Sequence, residues 1–412
     1  MRVVVVGAGI GGLACAQGLV RGGFDVVVVE RDSDLARTAG YKLHLGPPAV
    51  AALRALLPAD LVEVLHASAV GTRGFSLAVR DHRGRVLVRV VEPSAELSLD
   101  VDRVTLRAVL AEGLGDRLRL GTTCGGWRRE GDTVVAELDD GREEAGDLLV
   151  IADGAGSALA ERLAGLPTSV PSGLVGVAGR VHWDAVPGAA RALLAEPLLA
   201  VGPGGTGLFA TAHDPAGGAA VRSERSLTAT AGASAIWGLV AVEDALPPRP
   251  PPAHEDLVDL VVGLLGRERW ATPLVDLVRA DGPRTAAAFR LRASDPDHLA
   301  PWPSSRVTAL GDAVHAMPPT GGKGAATAIL DAEALVDRLR GARRGEVTAV
   351  MAVSDYETAL RRHAAPAVRE SLQPLSWIRA TATPQGALLA RGVLPVVAAG
   401  SAAVRALAGR RR

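Results

Sequence analysis

"VVVVGAGIGGLACAQGLVRGGFDVVVVE", Val3 to Glu30, decides the fold. Four β-branched residues, Val3 to Val6, suit a strand buried in a parallel sheet. Gly7, Gly9 and Gly12 then form G-x-G-x-x-G. Apolar and small residues at Ile10, Leu13, Ala14 and Gly18 predict a helix that ends at Arg21–Gly23. A second apolar strand, Val26–Val29, stops at Glu30. In such a unit the first glycine makes a tight turn, the second lets the backbone reach a pyrophosphate, and the third lets helix lie close on strand. The helix N-terminus offers free N–H groups and the positive end of a dipole. An acid about 20 residues on accepts from ribose hydroxyls. Gly7, Gly9, Ile10, Gly12, Glu30 and Arg31 are therefore candidate dinucleotide-binding residues.

A second literal G-x-G-x-x-G occurs at Gly202, Gly204 and Gly207. Pro203 interrupts it, and Leu208–Ala212 reads as a strand where a helix is required, so a hairpin turn is expected. One dinucleotide fold is thus predicted, with no second one for a nicotinamide. The chain of 412 residues allows two or three domains, and 48% hydrophobic residues make them globular. Lys and Arg number 45, as do Asp and Glu, which leaves no basic surplus for nucleic acid. Cys15 and Cys124 make no C-x-x-C, so neither a disulfide framework nor a zinc site is expected, and a cytoplasmic setting fits. The sequence enters a strand at residue 2, so no secretory leader is expected. Val393–Ala403 is far below the ~20 apolar residues of a membrane span, and the tail reads as an amphipathic helix ending in a basic "GRRR".

Three further segments identify the dinucleotide. Leu97–Leu114 is predicted as an amphipathic helix capped near Asp100 or Asp102, with Arg103 in its first turn. Gly146–Gly165 runs from an apolar strand into Asp153-Gly154, with Ser157 opening a helix. Val307–Leu335 passes from a strand through Gly311-Asp312 to a bare, alanine-rich helix beginning near Gly324 or Ala325. This ordered set, G-x-G-x-x-G, then D-G, then G-D, resembles the para-hydroxybenzoate hydroxylase-type flavoprotein monooxygenases, and it spans most of the chain.

The resemblance implies an α/β fold: a Rossmann-like FAD-binding domain, an inserted mixed β-sheet substrate domain and a C-terminal helical segment. The expected division is 1–72, 100–171 and 284–345 for FAD, 73–99 and 172–283 for substrate, and 346–412 for the C-terminal helices. It implies FAD with its pyrophosphate over Gly7–Gly12 and its ribose on Glu30. Arg103 would approach the ribityl and adenine side, the family's basic cofactor-binding residue after the second strand maps to Lys42, and Asp153 would be held close to both FAD and the region where the nicotinamide acts. Asp312, after Gly311, would accept from the ribityl chain. The stretch Pro318–Ala326, with Pro319, Gly322, Gly324 and Ala325, would underlie the isoalloxazine ring. It further implies that NADPH or NADH reduces FAD, that O2 then gives a flavin hydroperoxide, and that a small-molecule substrate is hydroxylated or epoxidised.

This sequence departs from the family at Ile151, Ala160, Lys323 and Ala326, where Gly, Arg, a neutral residue and Asn are usual. Arg162 is a candidate stand-in for the missing Arg. His315, in "HAMPP", is expected to pack structurally. Gly74–Glu92 reads as a hairpin, and Ser172–Trp183, Leu198–His213, Ala233–Glu243 and Arg284–Ser294 read as strands. Leu246–Leu257 is a proline-rich connector before a helix over Glu255–Gly266. Phe209, Trp237, Phe289 and Pro318 are candidate substrate-pocket residues. Aromatics make up only 3% of the chain, so an aliphatic pocket for a bulky apolar aromatic or polyketide-type ligand is expected. No tryptophans stand two apart, against a halogenase, and no acid–base pair or metal set is legible. A non-redox cyclase or isomerase that keeps FAD as a structural part is the alternative.

Overall fold

The computed structural model describes residues 1–36, 42–215, 227, 232–246, 254–281, 286–383 and 385–386, without the side chains of 254–256. The chain opens with β1 (Arg2–Val6), α1 (Ile10–Arg21), β2 (Asp25–Val29), β3 (Lys42–Leu45), α2 (Pro47–Leu56) and α3 (Ala59–Ala67). The hairpin β4 (Val70–Asp81) and β5 (Val86–Asp102) leads into α4 (Arg103–Ala111). Then come β6 (Leu118–Arg119), β7 (Cys124–Glu130), β8 (Thr133–Leu138), β9 (Glu143–Gly146), β10 (Leu148–Ile151) and α5 (Ala158–Ala164). β11 (Val170–His182), α6 (Gly188–Leu193), β12 (Leu198–Gly202), β13 (Thr206–His213) and β14 (Ser234–Val242) follow. The remainder is α7 (His254–Arg267), α8 (Thr272–Arg279), β15 (Ala287–Ala293), β16 (Val307–Ala309), α9 (Asp312–His315), α10 (Gly324–Arg343) and α11 (Ala349–Ala380).

The first strands behave as their valines require. β1 and β2 pair in parallel within a five-stranded sheet ordered β16-β10-β1-β2-β6, and Val3 to Val6 are buried. α1, α4 and α10 cover this sheet, and Leu13, Val28, Leu106, Val150 and Leu335 meet in one core. A small sheet, β7-β8-β9, leads back into β10.

An eight-stranded mixed sheet, β15-β11-β14-β13-β12-β4-β5-β3, forms the second body; β12 and β4 are parallel and the other pairs antiparallel. One face packs under α6, α7 and α8, burying Trp237, Leu239, Val261 and Leu277. The other carries Leu174 and Val240, which pack on Leu375 and Ile378 of α11. Gly202–Gly207 is a hairpin turn: Gly204 and Gly205 have φ of 67° and 69°, and Thr206 Oγ1 donates to Pro203 O at 2.7 Å. The helix expected over Leu97–Leu114 occupies only Arg103–Ala111. Residues 97–102 are strand because Leu97 to Asp100 pair with β4, and Asp102 ends the strand by capping Val104 N and Thr105 N. The basic C-terminal tail and most of the proline-rich connector lie outside the described residues.

Candidate functional site

The three motifs are brought together by strand register. Val6 pairs with Ile151, and Ile151 with Ala309, so β1, β10 and β16 end on one row. Gly7 follows β1 directly, and Asp153 and Gly311 come two residues after Ile151 and Ala309, at the C-terminal edge where ligands bind in open α/β sheets.

Gly7 has φ of 105°, and a Cβ there would lie 2.4 Å from Ala152 O. A Cβ on Gly12 would lie 2.0 Å from Gly7 O, so the close helix–strand approach requires glycine. Gly9, the N-cap of α1, has nothing within 4 Å of its Cβ position and is open to a ligand. Glu30 braces the turn: Oε2 accepts from Ala8 N at 2.6 Å and Oε1 from Asp32 N at 2.8 Å. Arg107 completes the brace, with Nη2 3.2 Å from Glu30 Oε2 and Nε donating to Ala8 O at 2.7 Å. The sequence reading passed over Arg107; its signal was a second arginine one turn after Arg103 on the apolar face of α4.

The other two motifs supply polar groups that the protein leaves unsatisfied. Asp153 Oδ1 is buried without a hydrogen-bond partner, while Ser157 caps α5 by accepting from Ala160 N at 2.9 Å. Burial pushes the Asp153 carboxyl above the ordinary carboxylate range, opposed by Ser157 and by the charge of nearby Arg31. Arg103 and Asp312 are both partly buried, and neither side chain has a hydrogen bond among the described residues. Burial pulls the Arg103 guanidinium down and pushes the Asp312 carboxyl up, and each group's charge opposes the other's shift. An open glycine turn at a helix N-terminus, an orphaned carboxylate oxygen and a facing cation–carboxylate pair suit a dinucleotide's pyrophosphate and hydroxyls.

Gly311 is held by a group the sequence reading did not identify. Asp331 of α10 is fully buried; Oδ2 accepts from Gly311 N at 2.8 Å and lies 2.5 Å from His315 Nε2, and Oδ1 lies 2.6 Å from His363 Nε2. Burial alone would raise Asp331, but the two imidazoles outweigh it and hold the carboxyl well below its usual range. Its signal was a lone acid inside the apolar run Ile329–Ala332. His315 thus packs structurally, as expected. Beyond it Pro318 is buried, Pro319–Gly321 make a turn, Gly322 has φ of 64°, and α10 starts at Gly324 with Ala325 partly buried. Thr320 Oγ1 donates to Ser371 O at 2.7 Å, tying this ledge to α11.

Comparison with known proteins agrees with this arrangement. An "FAD binding domain" description matches residues 289–371, and an "NAD(P)-binding Rossmann-like domain" matches residues 5–54. The crystal structure described as an FAD-containing monooxygenase from Photorhabdus luminescens is 30% identical, with a TM-score of 0.77, over 91% of this chain and 97% of that one. The chain belongs to the FAD-dependent monooxygenases of the para-hydroxybenzoate hydroxylase type. The dual O-methyltransferase/FAD-dependent monooxygenase CTB3 of Cercospora beticola is 27% identical over 397 residues, covering 88% of this chain and 44% of its own length. Zeaxanthin epoxidase of Oryza sativa subsp. japonica is 30% identical over 347 residues, covering 80% of this chain and 47% of its own length. The chain spans about half the length of the curated relatives it matches.

The family departures have structural homes in this monooxygenase. Ile151 and Ala160 are fully buried in the first core, and Ala326 packs against it. Arg162 stacks over Trp127, 5.2 Å from the ring centroid. Lys323 caps α10 and pairs with Glu370 of α11. Lys42 lies on β3, its Nζ 2.7 Å from Asp100 Oδ2 and 3.2 Å from Thr211 Oγ1, so its charge is already engaged. Phe209 is exposed on the sheet face opposite α6–α8, and Phe289 packs against Gly176 on that same face. Trp237 points the other way, fully buried under α7 and α8, with Nε1 donating to Asp281 Oδ2 at 2.7 Å. The structure does not bring Trp237 together with the cofactor residues, because its strand position fixes its side chain on the helix-covered face. Among the described residues no helix is long and apolar enough to cross a membrane, and no group of acids, cysteines and histidines could hold a metal ion.

Proposed function

We propose that this chain uses NADPH or NADH and O2 to hydroxylate or epoxidise a bulky, largely apolar small molecule, with FAD along the motif row. One observation carries the reading: three motifs end on one register row, and around them Gly9 is open while, among the described residues, Asp153 Oδ1 and the Arg103 and Asp312 side chains have no hydrogen-bond partner. FAD would lie with its pyrophosphate at Gly7, Gly9, Ile10 and Gly12 and its ribose by Glu30 and Arg31. Arg103, Asp153, Gly311 and Asp312 would hold its central part, with the ledge of Pro319, Gly322, Gly324 and Ala325 beneath the ring. Once bound, FAD supplies the reductive activation of O2.

The protein's share is to bind, orient and exclude water. The N-terminus of α10 puts positive potential at one end of the site, while the Lys323 charge is taken up by Glu370. Residues 73–99 and 172–283 would wall the substrate side, with Phe209, Phe289 and Pro318 on the wall. An epoxidase among the relatives supports oxygen insertion. The test is the visible spectrum of the purified protein, followed by NADPH and NADH oxidation and O2 uptake with pooled polyphenolic and polyketide compounds. Substrate-stimulated oxidation coupled to O2 uptake is expected. Retained flavin that never consumes NAD(P)H would point instead to a non-redox cyclase or isomerase.

A further inference from the structure

The sheet face that carries Phe209 and Phe289 also carries a polar cluster. Cross-strand partners share a face. His213 pairs with Ser234, Thr211 with Ile236, Ile236 with Arg180, and Phe209 with Gly238. On the far strands, Thr72 pairs with Ser98, and Asp100 and Asp102 continue the row of Ser98. The sheet curls so that its β5–β3 edge reaches interior strands: Lys42 Nζ bridges Asp100 and Thr211 of β13, and Arg180 of β11 pairs with Asp102. Asp102 is also the cap of α4, next to Arg103, so the cluster adjoins the motif row.

Two features set the cluster apart from an ordinary ion-pair network. First, its charges cancel: Lys42 is matched by Asp100 and Arg180 by Asp102. Second, four polar side chains flanking the Lys42 bridge have buried polar atoms without hydrogen bonds among the described residues: Thr72 Oγ1 and Ser98 Oγ on one side, Ser234 Oγ and both ring nitrogens of His213 on the other. His213 is 3% exposed, Ser234 4% and Ser98 1%. Burial first, then the Lys42 charge, holds His213 down at about 4, so its imidazole is neutral at physiological pH and offers one donor and one acceptor. Buried polar groups are almost always satisfied, and each exception asks for a missing partner.

We infer that Thr72, Ser98, His213 and Ser234 form a recognition site for neutral oxygens of the substrate, hydroxyl or ketone, and that the self-neutralised Lys42–Asp100 and Arg180–Asp102 pairs make it reject a carboxylate. The inference rests on the reading of this sheet as the substrate wall and deepens it: the ligand is a polyoxygenated, uncharged ring system. A carboxylate brought here would meet the charges of Asp100 and Asp102, which already engage Lys42, His44 and Arg180.

The experiment uses the full chain as purified and two matched probe pairs: emodin against its carboxylated counterpart endocrocin, and resacetophenone against β-resorcylate. Calorimetry gives binding, the visible spectrum gives flavin content, and thermal denaturation gives stability. The neutral member of each pair is expected to bind at least about tenfold tighter. Ser98→Ala, Ser234→Ala, Thr72→Val and His213→Leu should each leave the melting temperature unchanged or raised, because an unsatisfied polar group is removed. Each should weaken emodin binding about tenfold with flavin content unchanged. Equal or tighter binding of the carboxylates, no binding of either neutral probe, undiminished binding by the variants, or a clear drop in their melting temperature would each overturn the assignment. A protein without flavin absorbance would count against the proposed function, and the probe binding would still be read by calorimetry.

Discussion

Arg107 and Glu30 grip the two ends of one peptide unit's neighbourhood: the guanidinium donates to Ala8 O at 2.7 Å, the carboxylate accepts from Ala8 N at 2.6 Å, and the two side chains lie 3.2 Å apart. Both are buried. The glycine turn is therefore set in place by a cross-brace between β2 and α4. Removing one partner strands a buried charge, which costs about 3–5 kcal/mol. Arg107→Met should lower stability by that order and release FAD, read by denaturant unfolding and by flavin content after dialysis.

Gly9 separates folding from binding. Its φ is −72° and its Cβ position is open, so Gly9→Ala should change stability by no more than about 0.5 kcal/mol. The added methyl group would stand where the pyrophosphate approaches, and FAD affinity should fall at least about tenfold. Fluorescence titration of the apoprotein with FAD measures this, and unchanged affinity would remove the pyrophosphate from this turn.

Arg103 and Asp312 should behave in the opposite way to Arg107. Neither side chain has a hydrogen bond among the described residues, and Asp312 is disfavoured as a carboxylate by burial. Arg103→Ala and Asp312→Asn should leave the apoprotein's melting temperature nearly intact and cut flavin retention sharply. A yellow protein after both substitutions would show that these groups do not touch the cofactor.

Phe209 and Trp237 lie on opposite faces of one sheet. Trp237→Ala should cost about 3–5 kcal/mol, since a large ring leaves a packed core. Phe209 is 38% exposed, and Phe209→Ala should cost less than about 1 kcal/mol while raising KM for the substrate. Urea denaturation and steady-state kinetics on both variants distinguish the two positions.

The His315–Asp331 pair gives stability a pH dependence. Burial opposes charge on His315, yet Asp331 raises it above the ordinary 6.5. With the folded value raised, the pair's contribution is complete below about 6.5 and is lost as pH rises through the raised value. Asp331 is depressed, so its contribution is present above the ordinary carboxylate value of 3.8 and is lost as pH falls below it. This pair's contribution to melting temperature should therefore hold between these limits and decline on the alkaline side, while His213, held at about 4, costs stability as pH falls below about 6.5. His315→Gln should remove the alkaline decline, and a variant that keeps it would assign the decline elsewhere.

Local chemistry made much of this molecule readable. The valines of β1 and β2, the positive-φ turn at Gly7, the Ser157 cap and the bare start of α10 at Gly324 are determined by residue type and spacing, and their order along the chain carried the family. The false second glycine motif was legible too, because Pro203 and the alternation after it forbid a helix. What the tertiary structure alone decided is which distant groups meet. Arg107 reaches Ala8 and Glu30, Asp331 reaches Gly311, and Thr211 reaches Lys42 only after helices dock and a sheet curls. Leu97–Asp102 is strand because β4 pairs with it. Trp237 lies away from the motif row because a one-residue step along a strand changes faces. Such outcomes depend on contacts between residues far apart in the chain, and periodicity within one segment carries no record of them.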